Sequence, residues 1–292
     1  MYLPFLSEQE IFSTIKPYMG DSSDFKALDS KIKIITYKHL LKNLIPLFLK
    51  RKGRSLSFVE NAYSDKWIQR DLKKPQTNDK FLPVIFNSHK LVVRGSGLRC
   101  LHTFRISKII ETVRPKSVLD VGCGNGERLF LLSNMFPEIN FSGLELTSGG
   151  FNYARKFQKG KFPQHLINYS PRPLADTESF KRINFVQGSA HQMPFEKNSF
   201  DLVYSSLALE QMQRFQMQVL REIHRVSSGV VSLFEPFSDF NSSFYRKSYI
   251  FTESMFNASL SDLKKIGFYN IFVDTNCVQK SYRGDYNVLF TI

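Results

Sequence analysis

The chain is poor in cysteine and in acid, and it has no long hydrophobic run. Cys100, Cys123 and Cys277 are its only cysteines and lie far apart, which excludes a disulfide framework and the paired spacing of a metal site. No uninterrupted apolar stretch reaches the length needed to span a bilayer, so the chain reads as soluble or peripheral. Met1 is followed by Pro4, Glu8 and Glu10 instead of the basic start and apolar core of a secretory leader. The expected location is therefore the cytoplasm. No internal repeat or low-complexity tract is present. The shortage of acid has the largest consequence: 40 Lys and Arg stand against 26 Asp and Glu, a net charge of +14 at pH 7. No RNA-binding module or regular basic-aromatic ladder accompanies that charge, which argues against a nucleic-acid partner.

The charge is unevenly spread. Residues 31–54 are dense in Lys and Arg, contain no acid, and interleave the cations with Ile, Leu and Phe. Such a stretch either packs its apolar side on the rest of the protein with its lysines in water, or lies against an anionic membrane surface or an acidic or lipid-linked substrate. Peripheral membrane contact through residues 31–54 is thus one expectation.

What the sequence does have is concentrated in Ser117-Val-Leu-Asp-Val-Gly-Cys-Gly-Asn-Gly126. Val118 to Val121 read as a buried parallel strand, and Gly122, Gly124 and Gly126 let the backbone turn sharply against a ligand. Apolar residues at helical spacing follow from Glu127 to Phe136. A second strand, Ile139 to Glu145, ends in an acid roughly 20 residues past the last glycine, where a carboxylate can accept both hydroxyls of a ribose. The stretches Ile183 to Phe195 and Ser199 to Met212 give a third and a fourth strand, each running into a polar loop. The close Gly-x-Gly-x-Gly packing lacks the longer spacing that sets a helix N-terminus on a pyrophosphate, and Asp120 would repel one, so a nicotinamide or flavin oxidoreductase is disfavoured.

From about residue 104 to the end, these elements resemble the class I S-adenosylmethionine-dependent methyltransferases, in the broad subgroup that includes the quinone C-methyltransferases. The helix Leu220-Arg-Glu-Ile-His-Arg-Val226 and the strand Val230 to Phe234 extend the likeness. The resemblance implies an α/β fold: a Rossmann-like, seven-stranded, mostly parallel sheet with a C-terminal antiparallel strand, plus a mainly helical N-terminal extension. It implies S-adenosyl-L-methionine as cofactor, with Asp120, Gly122, Cys123, Gly124 and Gly126 at the methionine end. Glu145 and Leu146 fall at the ribose, Gly188, Ser189 and Ala190 against the adenine, and Ser205 at the end of the next strand. The family usually has an acid where Ser189 stands, which leaves the adenine contact to neighbours such as Gln187, His191 or Gln192.

The expected division is an N-terminal cover over residues 1–100 and the methyltransferase domain over 101–292, with an insertion at about 157–182. Residues 1 to 55 read as helical with breaks at Pro46 and Gly53, residues 81–94 as including a short strand, and Leu101 to Val113 as a helix. Candidate catalytic groups are Glu235, His191 and Glu210, with Asp239 behind them. Each has a plainer role open to it: Glu235 as a turn residue ahead of Pro236, His191 lining the adenine pocket, Glu210 pairing with a helix. Arg94, Arg99, His102 and Arg105 are placed to gather an anionic acceptor or to form a solvated helix start. The expected reaction is methyl transfer to a small-molecule, glycan or carrier-linked acceptor, at oxygen. The alternatives are a membrane-proximal quinone or lipid C-methyltransferase and a non-catalytic scaffold.

Overall fold

The computed structural model describes residues 4–44, 54–69 and 79–292; the helix breaks expected at Pro46 and Gly53 lie outside them. The chain begins with α1 (Glu8–Ile15), α2 (Phe25–Leu44) and α3 (Leu56–Gln69), then a hairpin of β1 (Phe81–Phe86) and β2 (His89–Arg94). There follow α4 (Gly95–Val113), β3 (Ser117–Val121), α5 (Glu127–Met135), β4 (Asn140–Glu145) and α6 (Ser148–Gln158). β5 (Asn184–Gln187), β6 (Phe200–Ser206), α7 (Gln216–Val226), β7 (Ser227–Glu235), α8 (Phe244–Thr252) and α9 (Leu260–Ile266) continue the chain. It closes with β8 (Tyr269–Asp274), β9 (Gln279–Lys280) and β10 (Tyr286–Thr291).

Seven strands form one sheet in the order β5-β4-β3-β6-β7-β10-β8. The first five are parallel and β10 pairs antiparallel with both β7 and β8. Alternate strand residues face opposite layers, as a pleated strand requires. Val118 and Phe141 pack with Ile109 of α4, Phe130 of α5 and Phe157 of α6, whereas Leu119 and Val231 pack with Leu220 of α7 and Leu263 of α9. The result is helix, sheet, helix.

The N-terminal part builds a smaller core of its own. β1 pairs with β2 on one side and with β9 on the other, so a strand from the far end of the chain closes the hairpin's sheet. Ile11 and Ile15 of α1, Val84, Phe86, Leu101 and Val278 fill this core. α4 starts earlier than its apolar spacing suggests because the Asp79 carboxylate accepts from Ser96 N and Oγ, which satisfies the first turn's free donors.

Strand order reverses between β3 and β6, whose neighbours run outward in opposite directions. At such a switch point the loops at the carboxyl ends diverge and leave a crevice. The ends of β3, β4, β6 and β7 therefore bring Val121, Glu145, Ser206 and Glu235 to one rim.

Candidate active site

The turn after β3 is tied to the end of β4. Gly122 N and Cys123 N donate to Leu144 O at 2.8 and 3.0 Å, and Gly124 N donates to Glu145 Oε2 at 2.9 Å. Glu145 Oε1 accepts from Thr147 N and Oγ1. A carboxylate offers about four lone-pair sites, so the buried Glu145 retains acceptor capacity for a ligand hydroxyl. Burial raises its carboxyl above the usual value, opposed by the bonds from Thr147 and Gly124.

α3 lies over this turn. Glu60 Oε1 accepts from Ser148 N at 2.9 Å and Ser148 Oγ at 2.8 Å at the start of α6, a place where negative charge is favoured. Gly149 permits the approach: a Cβ there would meet Ser64 O at 2.4 Å. α3 thus presents Val59, Tyr63 and Trp67 to a cleft of about 230 Å³. Its floor is Gly122 to Gly124, Glu145 and Leu146, and its far wall carries Arg99, Arg128 and Tyr169.

Several residues that line this cleft carry unpaired polar groups. Asn125 Nδ2, Ser206 Oγ and Arg128 Nε are buried with no hydrogen-bond partner, although all three residues line it. Among the described residues no acid lies within salt-bridge distance of Arg128, and Arg99 has only Asp79 Oδ1, at 3.7 Å. Buried polar groups are ordinarily satisfied, so orphaned donors converging on one cleft mark where a ligand's acceptors belong.

Five of the expected cofactor residues, Gly122, Cys123, Gly124, Glu145 and Leu146, line the cleft. Ser189 and His191 lie in a small adjoining pocket that shares Val59, Leu146, Gln211 and Met212 with it. Ser189 Oγ and His191 Nδ1 are 2.5 Å apart, and the imidazole stacks on Phe215. The remaining residues sit behind the cleft wall. Asp120 is buried and accepts from Tyr204 Oη at 2.8 Å, with burial raising its carboxyl to about 6. Gly126 backs onto Phe185, Gly188 onto Leu144 and Pro194, and Ala190 is in the core. Ser205 turns its hydroxyl to Glu235, and its neighbour Ser206, on the opposite strand face, lines the cleft instead.

The catalytic candidates do not converge there. Glu235 is completely buried and accepts from Ser205 Oγ, Ala208 N, Leu209 N and Glu210 N. It thus holds the loop that follows β6. Burial, then the charge of Glu210, raises its carboxyl to about 8. Glu210 is ion-paired with Arg283 at 2.5 Å, and Asp239 accepts from Leu260 N at the start of α9. Of the cationic group around α4, Arg99 alone lines the cleft. Arg105 pairs with Asp274, Arg94 covers Phe81, and His102 packs on Phe234.

Tyr63, Trp67, Thr103, Arg128 and Tyr169 line the cleft without having been legible as site residues. Arg128 had a signal in its position two residues past the last glycine. The aromatic residues had none, because they come from α3 and from the stretch between α6 and β5.

The sequence model of a methyltransferase domain matches residues 114–238. A fatty-acid O-methyltransferase of Mycolicibacterium smegmatis is 32% identical over 114 residues, 39% of this chain and 34% of that protein. A demethylmenaquinone methyltransferase of Lactococcus lactis is 32% identical over 111 residues, 38% and 37% of the two chains. The matched stretch thus spans little more than a third of either relative. In structure, magnesium protoporphyrin IX methyltransferase from Synechocystis PCC 6803 with bound S-adenosylhomocysteine superposes with a TM-score of 0.52 at 11% identity, covering 81% of this chain and 99% of that one. The 4+2 cyclase SpnF gives 0.50 at 15%, covering 79% and 78%. The structural likenesses show the fold alone, and the sequence match makes residues 114–238, which carry the glycine turn and the strands that build the cleft, similar to a methyltransferase domain.

Proposed function

We propose that the protein transfers a methyl group from S-adenosylmethionine to an oxygen of an acidic, partly apolar acceptor bound in the cleft under α3. The observation that carries this is the cleft itself, with an acid that still has acceptor capacity at one end and unpaired donors at the other. Glu145 would hold the ribose hydroxyls, Leu146, Val59 and Met212 would bracket the adenine, and Gly122 to Gly124 would lie along the methionine part. When bound, the cofactor supplies an electrophilic methyl on a positively charged sulfur.

The chain's own task is then alignment and exclusion of water. Val59, Tyr63 and Trp67 cover the cleft. Arg99 and Arg128 supply positive charge where an acceptor's anion would be oriented, and Tyr169 and Leu131 give it an apolar wall. Neutral hydroxyls need a general base, whereas a carboxylate is already ionised near neutral pH. That fits a site in which Glu235 and Glu210 are committed to the backbone and to Arg283. The fatty-acid O-methyltransferase among the relatives agrees with such an acceptor.

Carbon methylation of a quinone is the second reading, favoured by the demethylmenaquinone methyltransferases. The SpnF likeness is a reminder that the fold also serves other chemistry. Titration calorimetry with S-adenosylmethionine and S-adenosylhomocysteine, on the wild type and Glu145→Ala, tests the cofactor site, and binding should be lost in the variant. Labelled-methyl transfer to a panel of long-chain carboxylic acids and reduced quinones then decides the acceptor. No binding to the wild type overturns the proposal.

A further inference from the structure

We propose that the outward faces of α2 and α8 form a docking surface for an anionic lipid bilayer. α2 buries Phe25, Asp29 and Thr36, residues spaced to share one helix face. The opposite face is not polar. Ile34 is 55% exposed and Leu41 65% exposed, seven residues apart and therefore stacked on one stripe, with the exposed Lys31 and Lys38 on its flank. α8 repeats the arrangement: Phe244 is 74% and Phe251 40% exposed, with the exposed Lys247 between them.

The two helices lie side by side. The Tyr245 ring contacts that of Tyr37, and Lys33 Nζ lies over it at 5.5 Å. Further along both helices, His39 Nδ1 meets Glu253 at 3.3 Å. They therefore run in the same general direction, and their apolar stripes share one surface. The acids are turned away from it. Asp29, the single carboxylate in either helix, is largely buried and paired with Lys33, and Glu253 is engaged by His39 and Arg54.

What faces outward is thus a set of large apolar side chains bordered by lysines, with no acid in either stripe. A contiguous exposed apolar patch marks an interaction surface. Apolar anchors rimmed by cations suit the boundary of an anionic membrane, where acyl chains and headgroup charge meet both demands. A second copy of the chain fits less well, because a two-fold interface would set the same lysines against each other. Among the described residues no helix is long and apolar enough to cross a membrane, so this surface would rest on the bilayer. It does not depend on the chemistry proposed for the cleft.

Sedimentation of the full-length protein with vesicles tests the inference. At low salt the protein should pellet with vesicles of phosphatidylcholine and phosphatidylglycerol in equal parts, and much less with phosphatidylcholine alone. Lys31→Glu with Lys38→Glu should weaken binding to the anionic vesicles by about fivefold per lysine. Leu41→Ser with Phe244→Ser should weaken it as well. Failure of the wild type to bind anionic vesicles overturns the proposal, as does undiminished binding by both variants. So does a solution dimer, seen by analytical ultracentrifugation, that dissociates in the Leu41→Ser, Phe244→Ser variant.

Discussion

Trp67 lies directly against Gly124. A Cβ on Gly124 would come within 2.6 Å of the indole, and the residue sits at φ +58°, so one position meets both a steric and a conformational demand. Gly124→Ala should cost about 1–2 kcal/mol from the left-handed backbone alone, and more with Trp67 in place. In a Trp67→Ala background the excess should disappear, a non-additivity readable by urea denaturation. Equal costs in the two backgrounds would show that the contact is not what requires glycine.

Trp67 is the chain's only tryptophan, which makes the cover its own reporter. Glu60→Ala removes the acceptor that joins α3 to Ser148 N and Oγ and should cost about 1 kcal/mol. Loosening α3 should also shift Trp67 emission to the red, toward that of a solvated indole. An unchanged spectrum would mean that α3 is held by its other contacts with α6.

Glu235 should make stability depend on pH. Its carboxyl rises from 4.5 to about 8 through burial, so the folded state holds this proton more tightly than the unfolded chain. The contribution is complete below about pH 4.5 and is lost as pH rises through 8. Asp120, raised from 3.8 to about 6, acts in the same sense over a lower window. Thermal midpoints across this range should decline with pH in the wild type and less steeply in Glu235→Gln. The amide nitrogen that this substitution introduces replaces one oxygen and sets a donor against the N–H of Glu210, so the variant should lose about 1–3 kcal/mol at low pH.

Arg283 is 3% exposed and joins Glu210, at 2.5 Å, to Asp285, at 2.6 Å. Removing one member of a buried ionic group leaves uncompensated charge, and Arg283→Met should cost about 3–5 kcal/mol. Glu210→Gln should cost less, because Arg283 keeps Asp285. If methyl transfer falls in Glu210→Gln with urea stability unchanged, Glu210 has a role in the chemistry beyond the ion pair.

The extent to which this molecule was legible in its sequence follows from the range of the interactions involved. The strand, glycine turn, helix and second acidic strand were readable because local rules fix them: a run of apolar residues, positive φ at the glycines, helical spacing after Gly126. The start of α9 is fixed by the same kind of local rule, Ser259 and Asp262 exchanging bonds across the first turn. The hairpin of β1 and β2 was legible only as a single short strand, and its closure by β9 was not legible at all, since residues 84 and 280 meet only in the folded chain.

Local sequence was enough for the strands around the turn, the turn itself and the acid at the end of β4, because each is specified by residues within a few positions of one another, whereas the seven-stranded sheet was implied only by the family resemblance. Which polar groups face the cleft depended instead on how distant segments pack. Ser205 and Ser206 are chemically identical neighbours, and strand alternation with the buried Glu235 sends one inward and the other to the ligand side. Arg99, Arg105 and His102 belong to one helix, yet Arg99 packs on Tyr169 at the cleft while Arg105 and His102 both turn to Phe234, Arg105 also reaching Asp274. Tyr63 and Trp67 reach the site because Gly149 lets α3 come close, a long-range fit that no local pattern encodes.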